Sequence, residues 1–464
     1  MGAAALILAA GEGTRMKSGL PKVAHTILGI PMVTYAVRAA DAAGCERIVV
    51  VTGHGADLVE QLVTGVATVR QAEQLGTGHA VLCAEQVLGG LTGSLVVLSG
   101  DSPLLRASTI SELIAERERT GAAAVVLTAR LADPSGYGRI VRDAEGSLAA
   151  IVEDKDLAPD QRCIDEVNTG TYCFEAAGLF EHLSRLGNGN AQGEYYLTDI
   201  IGMLRAEGLP VTAVMTDDPT ETLGVNSRVQ LAEATKVMQQ RINRDHMLAG
   251  VTMTDPGLVW IAPTVRIGRD TIIEPLSTLL GETTIGEDCV IGPDTRLTDC
   301  VVGDGCVVDS SIGVDATLGE HVTVGPRSYL RPGTRLMEHS KVGTSVEIKN
   351  STIGEGSKVP HLSYIGDAIV GKGVNIGAGT ITCNYDGVHK HPTVIGDGAF
   401  IGSDTMLIAP VTVGEGAVVG AGSAIAYDVP EDALALERTK QHTIEQWARR
   451  RRARRDGIDD TKER

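Results

Sequence analysis

The chain has 464 residues, with 41 lysines and arginines against 59 acids, a formal net charge of −18, 3% aromatics and 56 glycines. Such a surface repels a phosphate backbone, which excludes a general nucleic-acid binder but leaves room for a local basic pocket. The eight cysteines form no CxxC pair and read as buried, reduced thiols, and no apolar run reaches the ~20 residues of a membrane span. A cytoplasmic protein is expected. Its apolar start is expected to be a strand and not a leader, because no basic segment precedes it and Gly11 and Glu12 soon interrupt it.

"AAALILAA" (3–10) is a continuous apolar run of the kind a strand buried on both faces shows. The turn Gly11–Lys22 follows it and fits neither the P-loop nor the dinucleotide fingerprint. Pro31–Gly44 starts on proline and stops on glycine, which predicts a helix. Strands are predicted over Arg47–Thr52 and Ser94–Asp101, with a helix over 76–88 between them. This βαβα order predicts a mainly parallel, Rossmann-like sheet covered by helices, an α/β architecture with sites at the carboxyl ends of the strands. Gly11–Lys22 and Gly100-Asp101 should therefore share one edge. A turn closing a buried strand presents N–H groups to an anion. Arg15 and Lys22 could neutralise charge on a phosphoryl group, and Asp101 could hold Mg²⁺. Ser227–Gly250 has no internal glycine or proline and is predicted to be one long helix linking two domains.

From about residue 251 the apolar period becomes six. Ile261, Ile267, Ile273, Leu279, Ile285, Ile291 and Leu297 are in step; Val302 and Val308 continue after a slip. Ile312, Leu318, Val324, Leu330, Leu336, Val342 and Ile348 follow, then Ile353, Val359 and Ile365, and finally Ile395, Ile401, Leu407, Val413, Val419 and Ile425. Each unit reads as a short strand and a turn with its aliphatic inward, so stacked coils form a β-solenoid. Between Ile376 and Ile395 an inserted polar loop carries Asn384, Tyr385, Asp386, His389, Lys390 and His391 and reads as part of a site. His361 lies just before it. A histidine suits the deprotonation of an amine, and Glu347, on a neighbouring coil, is a candidate to orient it. The six arginines between Arg449 and Arg455 read as a solvated or disordered tail.

"LAAGEGTRMKSGLPK" (8–22) closely resembles the sugar-phosphate nucleotidyltransferase loop LAAGxGTRMxSxxPK. "QAEQLGTGHA" (71–80), "SGD" (99–101), "GYGRI" (136–140), "IVEDKD" (151–156), "VNTG" (167–170), "EYYLTD" (194–199) and "GVN" (224–226) match the same family in order. With "VPHLSYIGD" and "NIGAGTITCNYDG" behind them, residues 3–447 resemble the bifunctional N-acetylglucosamine-1-phosphate uridylyltransferase/glucosamine-1-phosphate N-acetyltransferase family.

The resemblance implies a left-handed β-helix, a homotrimer formed through it, and a role in supplying UDP-N-acetylglucosamine. It implies a nucleotide and sugar site of Leu8, Ala9, Ala10, Gly11, Arg15, Lys22, Gln71, Gly76, Thr77, Ser99, Gly100, Asp101, Gly138, Glu153, Asn168 and Asn226. Asp101 and Asn226 would hold Mg²⁺, and the sugar 1-phosphate would attack UTP. In the solenoid it implies His361 as base, with Arg331, Lys349, Tyr364, Asn375 and Lys390 around glucosamine 1-phosphate. Ala378, Ser403, Ala421 and Arg438 would line the acetyl-CoA site, with Asn384 and Tyr385 close by. Pro392 departs from the family, standing where a second lysine is common. The expected divisions are 1–226, a linker helix 227–250, the repeat domain 251–438 and a charged tail 439–464. The rival readings are a single-activity sugar-phosphate nucleotidyltransferase with a regulatory solenoid, and a non-catalytic scaffold.

Overall fold

A computed structural model describes residues 2–455. The chain divides into two compact units: Met1–Leu248 with Val259–Pro263, and Ala249–Leu258 with Thr264–Arg464.

In the first unit, strands lie in the order Val211–Met215, Ala124–Arg130, Glu166–Glu175, Ser94–Ser99, Ala3–Ala9, Cys45–Thr52 and Ala67–Arg70. All neighbours run parallel except Glu166–Glu175, which is antiparallel on both sides. The continuous apolar runs have a direct cause. Successive side chains point to opposite faces, and both faces are covered. Leu6, Val49, Val97 and Phe174 join one core, while Ile7, Val50, Leu98 and Cys173 join the other. Burying each large aliphatic here stabilises by about 1.5–3 kcal/mol.

The predicted helices appear as Met32–Ala42 and Arg228–Leu248. The first follows Pro31 and closes with Gly44 at φ 83°, its N–H bonding Asp41 O at 2.9 Å. The helix predicted over 76–88 is instead two, Thr77–Leu82 and Glu85–Leu88. The first ends in a tighter turn, Ala84 N to Val81 O at 3.0 Å, which seats Ala84 wholly in the core. Within Arg228–Leu248 the amides of Gln239 and Asn243 are buried, and both donate to Val259 O, at 2.5 and 2.9 Å.

The second unit is a parallel β-helix. Each coil contributes one short strand to each of three parallel ladders, as in Ile272–Ile273, Val290–Ile291, Val307–Val308 and Thr323–Val324. The inward aliphatics stack in register: Ile273 on Ile291, Val342 on Val359, Ile401 on Val419. Ile267 keeps the predicted phase, in register with Ile285, and is only half-buried because it lies at the open end of its ladder. One aliphatic departs from that phase. Ile312 faces outward at 37% exposure, and Gly313 takes the inward place between Leu297 and Leu330. A Cβ on Gly313 would lie 2.9 Å from Leu297 and 3.1 Å from Cys300 Sγ, so the neighbours already fill that space.

The corners hold a second repeat that the aliphatic pattern hides. Two positions before many inward aliphatics sits a buried hydroxyl, such as Thr271, Ser277, Thr283, Ser328 and Ser357. Ser328 Oγ donates to Gly343 O at 2.6 Å and accepts from Val346 N at 3.2 Å. Ser357 repeats this with Gly371 O and Val374 N, at 2.7 and 2.9 Å. These hydroxyls satisfy the backbone groups that the turning strand leaves unpaired. Cys289, Cys300 and Cys306 occupy the same slot, which accounts for three of the eight cysteines. The preceding residue takes positive φ, as at Asp294 (48°), Asn350 (44°) and Asp367 (51°), a conformation Asn and Asp tolerate best after glycine.

The arginine-rich segment expected as a solvated or disordered tail is, as far as Arg455, a solvent-exposed helix, Trp447–Arg455. Alanine and arginine are strong helix formers, and Arg451 stacks over Trp447 one turn back, 5.1 Å from its ring centre. The remainder of the expected tail, 456–464, lies outside the described residues.

Candidate active sites

At the carboxyl edge of the first sheet lies a cavity of about 340 Å³. Leu8, Ala9, Ala10, Gly11, Lys22, Gln71, Gly76, Thr77, Ser99 and Asp101 line it. Gly11 opens directly onto free space, since a Cβ there would touch nothing within 4 Å. Gly76 has the opposite reason to be glycine: φ is 108°, and a Cβ would lie 2.7 Å from Tyr195 O. Gly78 N bonds Tyr195 O at 2.8 Å and Leu197 N bonds Thr77 Oγ1 at 3.1 Å, so the segments 75–78 and 194–197 are tied together. Gln71 Nε2 donates to Gly76 O at 3.1 Å. Gly100 holds the edge closed, its N–H bonding Leu8 O at 2.9 Å.

The charged groups converge at one point. Lys22 Nζ is ion-paired to Asp101 Oδ2 and donates to Asn226 Oδ1 at 2.9 Å. Ser99 Oγ fixes the other carboxylate oxygen at 2.7 Å. Lys22 is positioned by the short 3₁₀ turn Lys22–Ala24 and by the glycine loop: a Cβ on Gly13 would sit 2.5 Å from Lys22 Cβ. A carboxylate and an amide oxygen meeting at one cation suit Mg²⁺, which takes oxygen ligands and keeps waters and substrate phosphates in the rest of its shell. Among the described residues no group of three or more His, Cys, Asp or Glu could hold a metal ion by itself. Arg15 is exposed, and its guanidinium has no partner among the described residues.

Gly138, Glu153 and Asn168 form a separate group. Asn168 N bonds Gly138 O at 2.8 Å, and its carboxamide donates to Tyr172 Oη at 2.7 Å. Glu153 accepts from Thr198 at 3.1 Å, and burial raises its carboxyl above the ordinary range. It lines a second cavity, of about 400 Å³, with Asp156, Asn190, Tyr196 and Asp199. Gln74 and Glu194 also line the first cavity and were missed in the sequence. Gln74 Nε2 reaches Ala10 O at 2.9 Å; the signal was a second glutamine three places after Gln71.

On the solenoid, His361 stands exposed at a corner, its ring free of partners among the described residues. The corners above it continue in a column: Gly379 N bonds His361 O, Asp404 N bonds Ala378 O and Gly422 N bonds Ser403 O. Arg438 joins the top, Nη1 to Ala421 O at 2.8 Å. Thus His361, Ala378, Ser403, Ala421 and Arg438 share one edge. The adjacent sheet face carries Arg331, Glu347 and Tyr364 in successive coils. Here one expectation is corrected. Glu347 pairs with Arg331 at 2.8 Å and not with His361. Strand register explains it: Glu347 lies opposite Tyr364, whereas His361 lies opposite Thr344.

On the far side of that face, Lys349 pairs with Asp367 at 3.2 Å, and Asn384 reaches Tyr364 Oη at 3.4 Å. Asn375 faces outward on the ladder beyond the His361 corner. Lys390 sits beside Lys349, which pushes the Lys390 ammonium below its usual value. Tyr385 is exposed and bonds Gly387 O at 2.6 Å, while Asp386 ties the loop together by accepting from His389 N at 2.6 Å and Val388 N at 2.7 Å. Pro392 lines a cavity under the loop with Lys390 and His391.

Comparison with known proteins agrees with this division. Residues 5–193 match the MobA-like NTP transferase domain, and residues 264–299 and 392–426 match the bacterial transferase hexapeptide (six repeats). The chain is therefore a transferase that joins a nucleotidyltransferase domain to a left-handed hexapeptide β-helix of the acyltransferase class. It is 51% identical to the bifunctional protein GlmU of Trichlorobacter lovleyi, over 97% of this chain and 98% of that one. It is 54% identical to that of Pelotomaculum thermopropionicum (97% and 99% covered) and 52% identical to that of Heliobacterium modesticaldum (96% and 98%). The chain belongs to the bifunctional GlmU family.

Proposed function

We propose that the enzyme makes UDP-N-acetylglucosamine in two steps at two sites. The observation that carries this is the pair of clusters, one around Lys22, Asp101 and Asn226 and one around His361, in separate units of one chain.

In the solenoid, His361 takes the proton of the glucosamine 1-phosphate amine. The nitrogen attacks the acetyl-CoA carbonyl, the C–S bond breaks, and the CoA thiol leaves. Arg331, Lys349, Tyr364, Asn375 and Lys390 hold glucosamine 1-phosphate, the three cations at its phosphate. The corner column Ala378, Ser403 and Ala421, with Arg438, receives acetyl-CoA, with Asn384 and Tyr385 close by. Glu347 serves by orienting Arg331, to which it is paired. In the first unit, Leu8–Gly11, Gln71, Gly76, Thr77, Ser99 and Gly100 hold UTP, and Gly138, Glu153 and Asn168 hold the acetylated sugar. Its phosphate oxygen attacks the α-phosphorus, and the bond to the β-phosphate breaks to release pyrophosphate. Arg15 and Lys22 offset the charge that develops. Mg²⁺, when held by Asp101 and Asn226, adds neutralisation at the phosphate oxygens.

We propose the functional divisions 1–226, a linker helix 227–250, the acetyltransferase repeats 251–438 and a charged tail 439–464. We further propose a homotrimer formed through the β-helix, and a cytoplasmic location, where UTP and acetyl-CoA are available. All eight cysteines are free thiols, which suits a reducing compartment, and no described helix is long and apolar enough to cross a membrane.

The test is one purified preparation assayed twice. It should release thiol from acetyl-CoA with glucosamine 1-phosphate, and pyrophosphate from UTP with N-acetylglucosamine 1-phosphate. Pyrophosphate without thiol would leave the single-activity reading, and neither product would leave the scaffold.

A further inference from the structure

Asp367 has no role in the reaction as derived above, yet it makes more side-chain contacts than any other corner acid of the wall. It sits at a positive-φ corner, φ 51°, its side chain 13% exposed. Lys349 Nζ lies 3.2 Å from both of its oxygens. Asn350 Nδ2 donates to Oδ1 at 2.7 Å, and Asn384 Nδ2 donates to Oδ2 at 2.6 Å. Asp299, Asp315 and Asp404 occupy equivalent corners and are exposed. Local geometry therefore asks only for an Asp or Asn here. It does not ask for a sunken carboxylate with three donors.

We propose that Asp367 is the positioning residue of the acetyl-acceptor site, a single carboxylate that locks Lys349 on the wall and Asn384 on the inserted loop into one unit. The inference rests on the acetyltransferase reading of this face. Three cations, Arg331, Lys349 and Lys390, converge on a site meant for one phosphate. Arg331 is oriented by Glu347. Lys349 has no such partner on the sheet face, and a free lysine loses much rotamer freedom when it grips a ligand. Asp367 removes that cost in advance, which is how preorganisation raises affinity. It also supplies the negative charge that lets Lys349 stand beside Lys390. Burial alone would raise its carboxyl, but the hydrogen bonds from Asn350, Lys349 and Asn384 hold it below the ordinary range, so it is charged wherever the enzyme works. The second arm reaches the sugar side: Asn384 touches Tyr364 Oη, and its own carbonyl accepts His391 N at 2.8 Å, so the loop's root is fixed by the same carboxylate.

The test uses the full chain. Asp367→Asn keeps the corner conformation but removes the charge. The KM for glucosamine 1-phosphate should rise about tenfold, the equivalent of one lost charge-assisted hydrogen bond. The kcat and the KM for acetyl-CoA should stay within about threefold. In a double-mutant cycle, Asp367→Asn added to Lys349→Met should change the acceptor KM less than about twofold, because the residue acts through Lys349. Should Asp367→Asn melt far below the parent, Asn350→Gly, which suits the positive-φ corner and removes one donor of the carboxylate at a residue with no substrate role, should raise the same KM. An unchanged acceptor KM, or effects that simply add in the cycle, would overturn the inference. Absence of thiol release from the unsubstituted enzyme would instead sink the acetyltransferase reading beneath it.

Discussion

The Lys22 cluster offers the most decisive experiment. In this structure the ammonium binds the two oxygens proposed for Mg²⁺, Asp101 Oδ2 and Asn226 Oδ1. Lys22 and Asp101 are 15% and 14% exposed, so the pair is largely shielded from solvent. The proposed reaction requires the ammonium to leave those oxygens and face the nucleotide's phosphates. Lys22→Met removes it with little change in volume. Losing one preorganised donor to a developing phosphoryl charge costs about 3 kcal/mol of barrier, roughly a hundredfold in rate. Pyrophosphate release should therefore fall about a hundredfold. Thiol release by the same preparation should not move, since His361 lies in the other compact unit. Mn²⁺ binding to the free enzyme, followed by its paramagnetic resonance signal, should tighten, because no ammonium competes for Asp101 and Asn226. A variant that keeps uridylyl transfer within threefold of the parent would refute the reasoning and leave Lys22 a structural ion pair.

His361→Ala should cut thiol release by roughly 10²–10⁴-fold, the usual yield of a general base, with pyrophosphate release unchanged. Glu347→Gln should raise the acceptor KM through Arg331 while leaving the pH dependence of kcat in place; a shift of that profile would restore a Glu347–His361 link. Ser328→Ala strands Gly343 O and Val346 N and should cost about 1–3 kcal/mol in denaturant unfolding of the β-helix, with Ser328→Cys milder because cysteine already fills this slot in other coils. The Asp386 carboxyl is depressed to about 2 by the backbone hydrogen bond from His389, then by His391 and Val388. A depressed carboxyl stabilises above its unfolded value and loses that contribution only as pH falls through the folded one. The Val388 and His389 amides should thus stay protected at pH 4, after correction for intrinsic exchange, and open toward pH 2.

The six-residue phase and the sheet edge were legible because each reports a burial pattern, and burial follows sequence period directly. Leu6 and Ile7 had to face opposite cores, and Ile273 had to stack on Ile291. Direction was not legible. Glu166–Glu175 runs antiparallel, yet a strand buried on both faces reads the same either way. Polar pairings were also hidden, since register brings together residues a whole coil apart. Glu347 and His361 are close along the chain, but register sets Glu347 across from Tyr364, and Arg331 captures its carboxylate. Asp367 resembled any other corner aspartate until its three donors were placed. Ile312 failed for a related reason: period alone cannot tell which of two neighbours turns in when the other is glycine.

The inserted loop shows what a stack of coils permits. Ile376 meets Ile401 in register although the loop intervenes, and Cys383 meets Ile408 on the next ladder. The wall resumes as though nothing had been added. Stability in such an array is close to a sum over adjacent coils, so a corner excursion costs little beyond closing it, about 2 kcal/mol for a loop of this size. The first unit has no such latitude along its strands, where Leu98 and Phe174 close two cores at once. Chemistry on the β-helix can therefore be exchanged one corner at a time: excising 384–391 should abolish acceptor binding yet leave a folded, cooperatively melting wall, a tolerance no strand of the mixed sheet would share.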